Sequence, residues 1–185
     1  MLHFTLDTTG NKKTACVELD ILLQGIAMKD ASSLEQLYKA THASVFSFAL
    51  SILKNVHDAE DVLHDCYIAV WNNAESYCTE GKPLAWLMTV TKNLCFQLLR
   101  RRRKNADEPI EDHTAWSCSE EQSVVDRTVL SVCMEELTDT ERQIVTLHAV
   151  SGFKHREVAS LLDLPLATVL SKYHRAIKKL KQHLQ

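Results

Sequence analysis

Leu34, Leu37, Tyr38, Val45, Phe46, Ala49, Ile52 and Leu53 recur at spacings of three, four and seven. That is the stripe of an amphipathic helix. Asn55 and the polar segment after it interrupt the stripe. Asp58 is then expected to cap a second helix, with Asp61 in the first turn, where a carboxylate favours the helix dipole. This helix, DAEDVLHDCYIAVW, is expected to bury Val62, Cys66, Ile68 or Ala69, and Val70. Its other face carries Glu60, Asp61, His64 and Asp65. The polar segment NNAESYCTEGKP reads as a loop before a longer helix that ends in RRRRK. That helix is apolar at Leu84, Leu87, Met88, Thr91, Leu94, Cys95, Leu98 and Leu99.

The C-terminal stretch has a different pattern. Thr138 or Asp139 caps a helix with apolar positions Ile144, Val145, Leu147 and His148 or Ala149, and Gly152 ends it. A short helix from His155 to Leu162 follows, then the turn Asp163-Leu164-Pro165 and a longer helix from about Leu166. Two helices joined by so short a turn form a helix-turn-helix. Small Ala159 lies where the helices must approach, and Val158, Leu162, Leu164 and Val169 lie where their core belongs.

Composition narrows the class. Only four glycines and three prolines occur, and Ile26 to Glu80 contains neither. Hairpins and tight turns draw on these residues, so the fold is expected to be all-α, two small helical domains. The 185 residues suffice for that. The longest uncharged run, residues 40–53, is 14 long, short of the roughly 20 that span a bilayer. The N-terminus shows no basic start followed by an apolar block, so no secretory signal is expected and the cytoplasm is the expected compartment. The six cysteines show no CxxC spacing. Free thiols are the expectation, with redox sensing or an unforeseen metal site as the other readings, and no metal or cofactor is expected.

Charge is distributed in blocks. Residues 1–99 carry net −4, residues 100–104 net +5, residues 105–140 net −9 and residues 141–185 net +5. Basic clusters suit phosphate backbones, although RRRRK also suits a helix C-terminus. The acidic stretch 105–123 reads as a flexible linker. The expected layout is a loose tail over 1–17, a domain over 18–104, the linker, and a second domain over 124–185.

Two surfaces carry candidate chemistry. Trp86, Lys92, Asn93, Gln97 and the arginines share the long helix. Aromatic, amide and cationic groups together suit single-stranded nucleic acid, where bases stack and cations follow phosphates. Taken alone, Trp86 reads first as a core residue, as large aromatics usually are. On the last helix Thr168, Ser171, Lys172, Arg175 and Lys179 lie on or near the outward face, as a recognition helix in a major groove requires.

Three blocks in order, HDAEDVLHDCYIAVW, PLAWLMTVTKNLCFQLLRRRRK and FKHREVASLLDLPLATVLSKYHRAIKKLK, resemble the extracytoplasmic-function (ECF) sigma factors of bacterial RNA polymerase. The likeness runs from about Leu34 to Leu184. It implies sigma region 2 and sigma region 4, no enzymatic activity, and RNA polymerase core, promoter DNA and an anti-sigma factor as partners. It implies that Asp58, Glu60, Asp61, His64 and Asp65 meet the coiled coil of the largest polymerase subunit, and that region 4 meets the flap. Tyr77, Trp86, Lys92, Asn93, Arg100 and Arg101 would hold the separated −10 strand. Arg156, Thr168, Ser171, Lys172, Arg175 and Lys179 would serve the −35 element.

Five positions depart from the family pattern: His64-Asp65 replaces Gln-Glu, Asp163 replaces the turn glycine, Ala167 the helix-start glycine and Leu170 a lysine. Leu170 shifts the reading face toward apolar contact with thymine methyls. The alternative reading is a stand-alone dimeric helix-turn-helix regulator. No nucleophile, phosphate loop or metal spacing supports an enzyme.

Overall fold

The computed structural model describes residues 11–77, 81–104 and 136–183, the side chains of residues 11–16 and 183 excepted. Within these residues every regular element is helical, as the sequence predicts. The expected linker, residues 105–123, lies outside the described residues.

The first four helices are α1 (Asn11–Ala27), α2 (Ala31–Leu53), α3 (Val56–Asn73) and α4 (Pro83–Lys104), with a short 3-10 turn at Ala74–Ser76. Helix α1 begins inside the stretch expected to be a loose tail. Helix α2 sits at the centre and packs against α1, α3 and α4. Asp30 caps it by accepting from the Ser32 and Ser33 N–H groups. Helices α1 and α2 approach so closely that a Cβ on Gly25 would collide with the Ser33 side chain.

The cap of α3 differs from expectation. Asn55 accepts from the Asp58 N–H, so the cap lies three residues earlier and Asp58 falls within the first turn. Core assignments shift too. Phe48 rather than Phe46 is fully buried in α2, and on α3 Ile68 is 58% exposed while Leu63 and Tyr67 are buried. On α4 the expected face holds, with Leu87, Met88, Thr91 and Cys95 buried.

The C-terminal unit contains α5 (Asp139–Val145), extended by a π turn at Thr146–Val150, then α6 (His155–Leu162) and α7 (Leu166–His183). Thr138 caps α5 through a reciprocal box: its hydroxyl accepts from the Glu141 N–H, and Glu141 accepts from the Thr138 N–H. Gly152 takes the left-handed conformation, φ +68, that lets the chain leave the π turn. Asp163 does the same between α6 and α7, at φ 55 and ψ 49. Asp visits that region more readily than most side chains, but less readily than glycine.

The two units share one core. Ile144, Leu147, Phe153, Val158, Leu161 and Val169 belong to the same buried cluster as Phe48, Val70 and Met88. The C-terminal unit's separate cluster has only Leu137, Val145 and Ala176 as buried members.

Candidate nucleic-acid interface

On α3 the spacing 60, 61, 64, 65, 68 keeps one face outward. Glu60, Asp61, His64 and Asp65 are exposed on it, and Ile68 extends it with an apolar group. The sequence reading missed Ile68, because it falls in phase with either side of the buried stripe. Asp58 does not join this face. It is buried, and its Oδ1 accepts from Arg102 Nη2 at 2.5 Å. A buried carboxylate needs such a partner, so Asp58 serves to tie α3 to α4.

The second surface joins the 3-10 turn to α4. Tyr77 and Trp86 are half-buried with ring centroids 5.2 Å apart. The Tyr77 hydroxyl donates to Asp20 of α1 at 2.5 Å. Further along α4, Asn93, Phe96, Gln97, Arg100 and Arg101 are exposed. Phe96, 42% exposed, is an aromatic the sequence reading did not place. The signal was there: it stands between two positions of the apolar stripe and among amides and arginines. Lys92 is half-buried and directed elsewhere: its ammonium donates to the Leu161 carbonyl of α6 at 2.6 Å.

The third surface is the helix-turn-helix. Ser171 and Arg175 are exposed on α7, Thr168 and Lys172 are half-buried, and Arg156 is exposed on α6. Leu170 is 38% exposed beside them. Val158, Val169 and Ala176 are fully buried on the opposite side, and Ala159 allows the close approach of the two helices. Lys179 departs from this face. It donates to Glu141 at 2.8 Å and to the Glu136 carbonyl, fastening α7 to the start of α5. Burial alone would raise the Glu141 carboxyl, but hydrogen bonds from Lys179 and Thr138 outweigh it and hold the group below the usual range.

Behind the recognition face lies a ring cluster. His148 and His155 lie with centroids 4.1 Å apart and planes tilted by 34°, and each meets Tyr173 edge-on. His148 Nδ1 is 2.7 Å from the Phe153 carbonyl. Burial pushes the His155 imidazole down from its ordinary value, and His148 and His174 push the same way.

The two units meet at a second polar contact: Lys54 and Asp139 pair at 2.8 Å. The Lys54 hydrogen bond holds the Asp139 carboxyl below its ordinary value. Cys66 and Cys95 are free and buried. Burial pushes their thiols up to about 11 and about 12, which leaves them protonated and unreactive at neutral pH. The other cysteine side chains lie outside the described residues. Among the described residues no three metal-ligating side chains converge, and no helix is long and apolar enough to cross a membrane.

Comparison with known proteins agrees with this arrangement. Residues 37–105 match the family "Sigma-70 region 2" and residues 127–180 match "Sigma-70, region 4". The chain is similar to "ECF RNA polymerase sigma factor SigK" of Mycobacterium sp. (strain KMS), 29% identical over 90% of this chain and 91% of that protein. It is similar to the SigK of Mycobacterium bovis (strain BCG / Pasteur 1173P2), 25% identical over 90% and 94%. Among solved structures, CnrH in complex with the cytosolic domain of CnrY superposes with a TM-score of 0.65, 22% identity, and 90% and 97% coverage. The sigma factor RpoE from Bartonella quintana, in complex with the anti-sigma factor NepR, superposes with a TM-score of 0.68, 22% identity, and 81% and 95% coverage.

Proposed function

The chain belongs to the ECF sigma factors of RNA polymerase, and from that premise we propose which of its surfaces carries each part of promoter recognition. The exposed face of α3, with Glu60, Asp61, His64, Asp65 and Ile68, docks on the coiled coil of the polymerase's largest subunit, while region 4 meets the flap. Charged groups at its rim steer and orient the encounter, and Ile68 adds desolvated area.

Tyr77, Trp86, Asn93, Arg100 and Arg101 hold the separated −10 strand, with Phe96 as a further stacking surface and Lys92 when it is released from Leu161. Stacking on rings beside cations is sequence-tolerant and suits unpaired bases. Arg156, Thr168, Ser171, Lys172 and Arg175 face the −35 duplex, with Leu170 against a thymine methyl. Asp58 and Lys179 support the fold instead. The functional division follows residues 18–104 and 124–185. The protein does no chemistry of its own; it works in the cytoplasm beside the polymerase. An anti-sigma factor controls it, a reading supported by the two solved relatives, whose titles record complexes.

The observation that carries this reading is the order of two exposed surfaces, one aromatic and basic, one a helix-turn-helix, on a chain that matches both sigma regions. Run-off transcription with core polymerase on a pool of genomic fragments tests it. The expected result is a set of discrete starts sharing two elements about two helical turns apart. Stable duplex binding with no starts would overturn it in favour of a dimeric regulator reading one palindromic site.

A further inference from the structure

The outward side of α7 is not the one its sequence pattern suggests. Val169 and Ala176, seven residues apart, are fully buried and mark the inner line of the helix. At about 100° per residue, Lys172 and Lys179 stand within about 70° of that line, and both are half-buried. His174 and Ser171 stand about 150° from it, on either side of the opposite line. The exposed positions Ala167, Leu170, Ser171, His174, Lys178 and Lys181 recur at spacings of three and four. They form one outward strip with His174 at its middle.

The surroundings of His174 are basic and open. A groove in the strip is lined by His174, Ile177, Lys178, Lys181 and Gln182. Among the described residues nothing hydrogen-bonds to the His174 imidazole or pairs with it. Tyr173 lies next to it, with ring centroids 6.1 Å apart. Tyr173 also touches His155 of α6 and His148 of the π turn, the titratable groups nearest His174 from those elements. Glu141 of α5 reaches α7 as well, but it is taken by Lys179. On α7 itself the charged neighbours are Arg175, Lys178 and Lys181.

An imidazole reads a base edge differently in its two charge states. The neutral ring has one donor and one acceptor, and the protonated ring has two donors. In the major groove guanine presents two acceptors, N7 and O6, whereas adenine presents an acceptor and a donor. The protonated ring therefore suits guanine and opposes the adenine amino group. Lys178 and Lys181 disfavour that charge in the free chain, and the phosphates of a bound duplex favour it. Binding in the guanine mode thus takes up a proton. Its advantage is present at low pH and is lost as pH rises.

We propose that His174 is a specificity-determining residue of the −35 face, whose preference for guanine depends on its proton. The proposal rests on the reading of the helix-turn-helix as the −35 surface. Lys178 and Lys181 flank His174 as phosphate contacts, and Leu170, one turn earlier, keeps its thymine methyl. Acid also weakens the unit as a whole through His155. That loss lowers binding to all sequences alike, so it cancels when two bases are compared within one sample.

The test assembles the full-length chain with core polymerase and equilibrates it with random-sequence duplexes at about pH 6 and about pH 8, which bracket histidine titration. Bound DNA is sequenced, and guanine-to-adenine ratios are taken at each position of the upstream element. At one position wild type should favour guanine about five- to tenfold more at the lower pH, within the discrimination of a good base contact. His174→Gln should abolish that difference. His174→Lys, a permanent cation, should hold the guanine preference at both pH values. Gln and Lys both suit an exposed helix position. A wild-type ratio that does not change with pH, or a change that His174→Gln preserves, would overturn the proposal. Wild type that enriches no upstream element would overturn the −35 reading itself, and the proposal with it.

Discussion

The two units reach stability by different routes. The N-terminal helices supply most of the shared core, packed around α2, with Phe48, Val45 and Ala49 inaccessible to solvent. The C-terminal unit is too small for that. Its private cluster has three buried members. It adds a capping box at Thr138 and Glu141, a Lys179–Glu141 pair, and apolar residues lent to the larger core. A small domain in this position gains order from polar fastening and from its neighbour.

The comparison can be broken first at the core. Phe48→Ala should cost ~3–5 kcal/mol, and Leu147→Ala, in the π turn that packs on α2, ~2–5 kcal/mol. Hydrogen exchange should show Phe48→Ala loosening both units and Leu147→Ala loosening the α2 amides as well as α5. Exchange confined to residues 136–183 in the second variant would mean that the units do not share a core. Next, Arg102→Met strands the buried Asp58 carboxylate, whose second oxygen has no partner among the described residues. About 1–3 kcal/mol should be lost in urea unfolding, against little for the exposed neighbour Arg103→Met.

A smaller effect sharpens the contrast from the other side. Thr138→Ala removes the cap of α5 and should cost about 1 kcal/mol in thermal unfolding, with α2 and α3 unaffected. The smallest effect is pH-dependent. The His155 imidazole lies below 6.5 when folded and near its ordinary value when unfolded. The unfolded chain thus binds more protons between the two values, so stability is full above about pH 6.5 and falls as pH drops through the folded value. The melting point of the helix-turn-helix should decline below that point. His155→Phe, which keeps a ring against His148 and Tyr173, should flatten the decline.

What the sequence revealed and what it withheld follow from range. The buried face of α4 was legible, Thr91 included, because helical periodicity fixes it locally. So was the helix-turn-helix core at Val158, Ala159 and Val169. The stripe took in Phe46 and passed over Phe48, because only the packing of α1, α3 and α4 around α2 selects Phe48 for full burial. Asp58 and Lys179 were assigned to interfaces because their partners stand 44 and 38 residues away. No local pattern announces such a pairing. The hydrogen bond from Lys92 to the Leu161 carbonyl, spanning 69 residues, was hidden for the same reason.

The unbroken apolar cluster between the units has a calorimetric consequence. Separating them exposes apolar area to water, and hydration of that area raises the heat capacity. The docked state is therefore held more firmly in warmth than in cold, because burial of such surface weakens on cooling. Association that requires opening would carry a positive heat-capacity increment, set against the negative one that new interfaces contribute. Cooling should therefore loosen the contact between the two units, and warming should tighten it.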